Sequence, residues 1–432
     1  MGQQQISNIT KQMKQAFSEQ ELLKLGEQTG QCRRRRKITP FRLALSLIQS
    51  LGSGHVETIA ALRREFNRLH GENVQYKPFH NQLAKRAFPE FMSKLCASLL
   101  GKLAAQVLGF NTGSPFSRFK AIYLHDGSSF ALKSALQSVF PGRFTKISPA
   151  AVELHVTMEL LSEMPDTIAL AADRESEVHF TPEPSQLAGG LFLGDRMFFI
   201  KSYLAEIDQH GGCYIVRTKG TLNPTVCRAW RKDGSEIKRW RNRPLKSLKK
   251  ALEREKAVDL EVSWSGADKL DARLIVTWDK KNKRLRYLVT NLPREDFSLE
   301  QVCDGYRLRW QVELLFKEWK SYANLHAFDT RNASLAEGLI WASICAALLK
   351  RFLAHATERV FRVAISTRNV AMCVRGMLFE LFDAMIAGTR KLKKTLEAAL
   401  AFLASNAQRA HPKRERLRGR AKLGLASVYA AA

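Results

Sequence analysis

The sequence predicts a mixed α/β (α+β) fold: a sheet core carrying a β-rich insertion, flanked by helical N- and C-terminal regions. Three observations carry that expectation. Two short apolar runs, residues 121–127 and 189–200, each contain an acid and read as central strands covered on both faces. Between residues 201 and 300, β-branched and aromatic runs recur, as strands require. On either side, over 40–110 and 300–405, apolar residues follow the helical period.

In chain order, residues 1–37 are polar, read as helical and end in Arg33-Arg34-Arg35-Arg36-Lys37. That run is either a solvated basic segment or a contact for phosphates. Glu57 to His70 is amphipathic, with Ile59, Leu62, Phe66 and Leu69 on one stripe. A Gly71-Glu72-Asn73 break follows, and Pro78 suits the first turn of a short basic helix bearing Phe79, Leu83 and Arg86. Helix, break, helix fits a helix-turn-helix module or ordinary helical packing. Ile122 to Asp126 reads as a strand that Gly127 ends, Glu153 to Leu160 as a second, and Gly189 to Ile200 as a third. Further strands are expected at 213–219, 260–264, 273–278 and 285–290, around a basic stretch from Arg228 to Arg254. From Gln408 the tail is basic, rich in Ala and Gly, and expected to be loose.

Charge is the unusual bulk property. Lys and Arg number 69 against 41 Asp and Glu, a net +28, which calls for a large polyanionic partner. Nucleic acid comes first and an anionic membrane surface second. The longest apolar stretch, residues 339–349, includes Ser343 and falls short of the about 20 residues a spanning helix needs. No membrane association and no signal peptide are expected. Seven scattered cysteines without a C-x-x-C pair suit neither a zinc site nor a disulfide frame, and fit a reducing cytoplasm.

Phosphodiester chemistry near neutral pH commonly uses two divalent ions about 3.5–4 Å apart, held by carboxylate oxygens. Asp126 shares a strand face with Ile122 and Leu124. Asp195 follows four residues without a polar side chain, so it needs a partner, whether a metal or a base such as Arg196. Asp173, in Asp173-Arg174-Glu175, competes with it as the second acid; Asp195, after the stronger strand, is preferred. Taking residues 306–320 as one continuous helix, Arg309, Glu313 and Lys320 fall at about 300°, 340° and 320° from Tyr306. Leu308, Val312, Leu315 and Trp319 fall on the opposite side, so one face packs and the other presents a phenol, a guanidinium, a carboxylate and an ammonium.

The spacing Tyr306-x2-Arg309-x3-Glu313-x6-Lys320 resembles the signature of insertion-sequence-4 family DDE transposases. Asp126-Gly127-Ser128 resembles that family's first-acid motif, residues 190–196 its second, and Glu153-Leu154-His155-Val156 the strand between. Met197-Phe198 departs from the Gly-Tyr or similar pair that commonly follows Asp-Arg. The resemblance implies a ribonuclease-H-like core in which Asp126, Asp195 and Glu313 bind two Mg2+ ions, with Mn2+ able to substitute. It implies an enzyme that cleaves DNA at an element's terminal repeats and joins the 3′ ends to target DNA by cut-and-paste. Tyr306, Arg309, Lys320 and Arg196 are then phosphate-gripping residues. Trp264 and Trp278 are candidates for stacking on a flipped base, against plain core packing. The implied organisation is a helical DNA-binding region over 1–115, catalytic core over 116–200, β-rich insertion over 201–295, core again over 296–330, and a helical region with a basic tail over 331–432. The implied partners are double-stranded DNA and a second copy of the chain, in a bacterial cytoplasm beside the nucleoid. A catalytically inactive DNA-binding derivative and a ribonuclease-H-like nuclease are the alternatives.

Overall fold

The computed structural model describes residues 2–54, 58–266, 269–323, 325, 329–409 and 420–429. Six helices open the chain: α1 (Gly2–Ala16), α2 (Glu19–Gln28), α3 (Pro40–Ser53), α4 (Ile59–His70), α5 (Tyr76–Leu83) and α6 (Ala87–Leu103). Ser18, Thr39 and Thr58 cap three of them, each side chain accepting from a first-turn amide that has no helical partner. Gly71 ends α4 at φ 61°, left-handed backbone that glycine adopts freely. α4 buries Leu62, Phe66 and Leu69, and α5 buries Phe79 and Leu83, the positions the periodicity assigned.

The strands are β1 (Leu108–Phe110), β2 (Ile122–Ala131), β3 (Ala151–Glu159), β4 (Met164–Ala172), β5 (Leu191–Gly194), β6 (Cys213–Thr218), β7 (Thr225–Arg231), β8 (Arg243–Pro244), β9 (Ala257–Trp264), β10 (Leu270–Asp279), β11 (Arg284–Thr290) and β12 (Leu425–Ser427). Helices α7 (Lys201–Gln209) and α8 (Lys249–Glu255) interrupt them. Ten strands form one sheet, ordered β4-β3-β2-β5-β6-β11-β10-β9-β7-β8. β2, β3 and β4 are antiparallel, and β5 and β6 then run parallel to β2. This is the ribonuclease-H-like arrangement. The β-rich stretch extends that same sheet, because β11 pairs with β6. A second apolar cluster, containing Trp240, Val262 and Leu274, fills its underside.

Helices α9 (Leu299–Arg307), α10 (Trp310–Tyr322), α11 (Ala333–Phe361), α12 (Thr367–Cys373), α13 (Met377–Ala387) and α14 (Thr389–Asn406) follow. α11 is long and apolar enough to cross a membrane, yet 83% of its apolar window is buried, with α3, α6, α12 and α14 against it. Its composition reflects burial on all sides.

Four expectations need correction. The strand expected over Gly189 to Ile200 is only Leu191–Gly194, because Asp195 caps a 3₁₀ turn over Arg196–Phe198. β2 does not end at Gly127: it runs on to Ala131, paired with β3 throughout. Residues 306–320 are not one helix: α9 and α10 meet at a two-residue joint, Leu308-Arg309, whose amides bond three residues back in 3₁₀ fashion. The tail over 420–429 is not loose, because β12 pairs with β1; the rest of that expectation, residues 410–419 and 430–432, lies outside the described residues.

Candidate active site

β2 pairs with β5 only over Ile122–Leu124. Beyond that point the β5 side of β2 opens, and α10 packs against β2 there. Leu124 lies opposite Leu193, two residues before Asp126 and Asp195 respectively, and the charge of Asp195 acts on Asp126. Asp195 is not paired with Arg196, which is exposed. Its Oδ1 accepts from the Met197 amide at 2.6 Å and caps a short 3₁₀ turn, Arg196–Phe198. Phe198 is buried edge-on against His125, 5.1 Å between ring centroids, which is how this chain accommodates an aromatic after Asp-Arg.

Glu313 stands in the first turn of α10. The Arg309 guanidinium joins the two elements: Nη1 donates to Asp126 Oδ2 at 3.1 Å and Nη2 donates to Glu313 Oε1. All three side chains are largely buried, at 15%, 20% and 25% exposure for Arg309, Asp126 and Glu313. Burial pushes the Asp126 carboxyl up to about 6; Arg309 opposes the shift, and the charges of Asp195 and Glu313 add to it.

Tyr306 occupies the last turn of α9. Burial raises its phenol, against Arg309 and Arg217, while Asp195 adds to the rise. Lys320 reaches across to β2, its Nζ donating to the Ser129 carbonyl at 2.7 Å. Leu308, Val312, Leu315 and Trp319 are all buried behind this face. The helix face was therefore legible in its packing side and wrong only in continuity. The 3₁₀ joint brings Arg309 over Tyr306, because side chains three apart eclipse there.

Asp173, the competing acid, is engaged elsewhere: it accepts from Ser129 Oγ and from the Arg143 amide. Trp264 is buried in the second core, beside Phe199, and Trp278 is half-buried on β10 opposite Leu285. Two residues beside the site escaped the sequence reading. Glu153 on β3 is 3% exposed, bonded by Arg143 Nη2 at 2.9 Å, and sensed by Lys320. Burial and the charges of Glu177 and Asp173 push it up to about 7 against Arg143. An acid in an otherwise apolar strand was the available signal. A Cβ on Gly127 would lie 2.7 Å from Glu153 Oε1, so this glycine makes room for the acid where a turn was expected. Trp310, directly after Arg309, is 48% exposed, with Lys317 over its ring at 4.2 Å.

The donor set of Asp126, Asp195 and Glu313 is all carboxylate oxygen, which suits a hard ion such as Mg2+. Among the described residues no three acids, His or Cys stand at metal-ligating separation. Arg309 lies between two of the three acids.

The family profile described as "Transposase DDE domain" matches residues 117–349, more than half of the chain. The chain is 22% identical to the transposase for insertion sequence element IS231C of Bacillus thuringiensis subsp. berliner, over 90% of this chain and 89% of that one. It is 23% identical to the IS231D transposase of Bacillus thuringiensis subsp. finitimus, over 90% and 89%. A 62-residue stretch, 14% of the chain, is 48% identical to the putative transposase InsL of IS186A from Escherichia coli K12. Among solved structures, the piggyBac transposase synaptic complex with hairpin DNA aligns with 93% of this chain and 85% of that one, at TM-score 0.45 and 10% identity. The match to the DDE profile spans β2, β5 and α10, and with it the chain belongs to the DDE-domain transposases of insertion sequences.

Proposed function

We propose that this transposase cuts and joins DNA at a site formed by Asp126, Asp195 and Glu313, moving its element by cut-and-paste. The observation that supports the reading is one guanidinium bonded to Asp126 of β2 and Glu313 of α10, with the charge of Asp195, just after β5, acting on both Asp126 and Arg309. The three carboxylates would hold two Mg2+ ions, or Mn2+ in their place. Such ions would supply the acidity that activates a water or 3′-hydroxyl and the positive charge that offsets the leaving oxygen. The chain's part is positional. Asp126 stands within β2 just past its pairing with β5, Asp195 follows the end of β5, and α10, packed against β2, carries Glu313. Tyr306, Arg309, Lys320 and Arg196 are suited to hold the strand by its phosphates.

DNA is held further off by the basic excess. In the N-terminal region a cleft of about 1120 Å³ is lined by Arg33, Arg34, Arg36, Lys37 and Lys85 beside Asn81 of α5. Arg33, Arg34 and Arg36 make no ion pair among the described residues, so their charge is available to phosphates. A dimer on the DNA completes the reading, since two ends must be cut together.

The test is a gel shift and a Mg2+-dependent cleavage assay on the element's terminal repeats. Asp126→Asn, Asp195→Asn and Glu313→Gln are each expected to abolish cleavage and to leave binding largely intact. Lys320→Ala should lose affinity as well as activity. Normal cutting by all three acid variants overturns the catalytic reading and leaves DNA binding as the account of the +28 charge.

A further inference from the structure

Arg309 is bound more tightly into the acid site than a phosphate-gripping residue needs to be. Two different nitrogens of one guanidinium hold two different carboxylates, and all three groups are largely buried. Asp126 Oδ2 and Glu313 Oε1, the bonded oxygens, belong to the groups a divalent ion would use. The other Asp126 oxygen takes the Gly127 amide at 3.2 Å. An ion such as Mg2+ draws its oxygens to about 2.0–2.1 Å. With the Arg309 guanidinium bonded to Asp126 and Glu313, no ligating trio stands among the described residues. Ion and guanidinium therefore compete for the same negative charge.

We infer that Arg309 is the resident cation of the acid site, and that a DNA phosphate draws it away so that divalent ions and DNA load together. The inference rests on the acid site proposed above. Its chemistry is that of the guanidinium, which is always charged and whose planar fork fits a phosphate as well as a carboxylate. Three acids against one guanidinium leave a net negative site. Ions loaded while Arg309 stays would reverse that sign, and a phosphate arriving with them offsets it. The joint supplies the freedom to move. Arg309 lies between α9 and α10, on the turn where 3₁₀ bonds replace α-helical ones, and makes no side-chain cap. Arg309 is thus a positioning residue that couples metal affinity to DNA.

The experiment is a Mn2+ titration of the full chain, read by the paramagnetic resonance of free Mn2+. It is run with and without a duplex ending at the element's terminus, already cut so that nothing remains to cleave. Without DNA, Arg309→Ala is expected to bind Mn2+ about tenfold more tightly than the parent, within the usual range of coupling between two sites. DNA should tighten Mn2+ binding of the parent by a similar factor and of Arg309→Ala hardly at all. Arg309→Lys, which keeps the charge but not the fork, should fall between; it decides the matter if Arg309→Ala does not fold. Equal Mn2+ affinity of parent and variant without DNA, or equal tightening by DNA in both, overturns the inference. Asp126→Asn separates the two failures. If it abolishes Mn2+ binding while Arg309→Ala gains nothing, the acid site stands and only the role given to Arg309 falls. If it leaves Mn2+ binding unchanged, the acid-site reading itself is wrong.

Discussion

Gly127 shows how closely the site is packed at the level of single residues. It lies beside Asp126 in a strand, where glycine is entropically unfavourable, and its missing side chain is the space that Glu153 occupies. Gly127→Ala should push the Glu153 carboxylate aside and cost about 1 kcal/mol, the low end of the range for overpacking, because the atom it meets is the far end of a flexible side chain. The double variant Gly127→Ala/Glu153→Ala should recover part of that loss. Urea unfolding of the parent, both single variants and the pair measures it; additive costs would mean that Gly127 and Glu153 do not press on each other. The glycine was visible in the sequence, but its purpose was not, because the atom it accommodates comes from another strand. Asp126 and Glu313 could be nominated from strand ends and helical phase alone. Arg309 could be placed on the right face, but its bond to Asp126 crosses 183 residues of chain.

Among the elements, α10 carries most of the argument, because its rotation decides which side chains meet the sheet. Leu314 and Leu315 are neighbours in sequence, yet Leu314 is 44% exposed and Leu315 is 1% exposed. Leu315→Ala should therefore cost about 2–5 kcal/mol through the cavity it leaves. Leu314→Ala should stay within about 0.5 kcal/mol. Chemical denaturation of the two variants is the check, and equal losses would mean that the helix is rotated differently. The apolar period gave this phase correctly. It gave no warning of the joint at Leu308-Arg309, because a 3₁₀ turn and an α-turn bury nearly the same residues over so short a length. The same limit applies to β2. Asp126-Gly127 looks like a strand end, and only the ladder to β3 carries the strand on to Ala131.

In the whole molecule, the chain closes on itself at Glu163. This residue is buried in a turn after β3, at φ 51°, and meets Arg420 and Arg409 from the C-terminal segment. Arg351 of α11 donates to its carbonyl, and His355 lies 3.8 Å from its carboxylate. Burial alone would raise the carboxyl, but the charges of Arg420, Arg409, His355 and Arg351 outweigh it and hold the group well below the ordinary range. A depressed carboxyl stabilises the fold above its ordinary value and loses that contribution as pH falls toward the folded value. Glu163→Gln should thus cost about 3–5 kcal/mol near neutral pH, because the arginines lose their buried counter-charge. The difference from the parent should narrow as pH drops below the ordinary Glu value of about 4.3. Thermal melts across that range test it; a gap that widens in acid would refute the clamp. Arg420 also donates to Gln311 on α10, so the same clamp steadies the helix that carries Glu313.

Local physical chemistry determined much of this protein by itself. Apolar period, strand composition and Ser and Thr caps are short-range properties, and they predicted the mixed α/β class and most elements; the family came instead from the resemblance of the run from Tyr306 to Lys320 and the two Asp motifs to a known signature. Net charge is additive along the chain, so the need for a polyanionic partner was also legible. Tertiary structure decided where the competing acid Asp173 is engaged. Asp173 and Asp195 both follow strands, and the sequence favoured Asp195 for its stronger strand; the fold binds Asp173 to Ser129 and the Arg143 amide. It decided too that the β-rich stretch continues the core sheet and that the tail returns to pair with β1. Those outcomes depend on pairings between segments far apart in sequence. Their energy comes from surfaces that meet only when the chain has folded, so no local pattern records them.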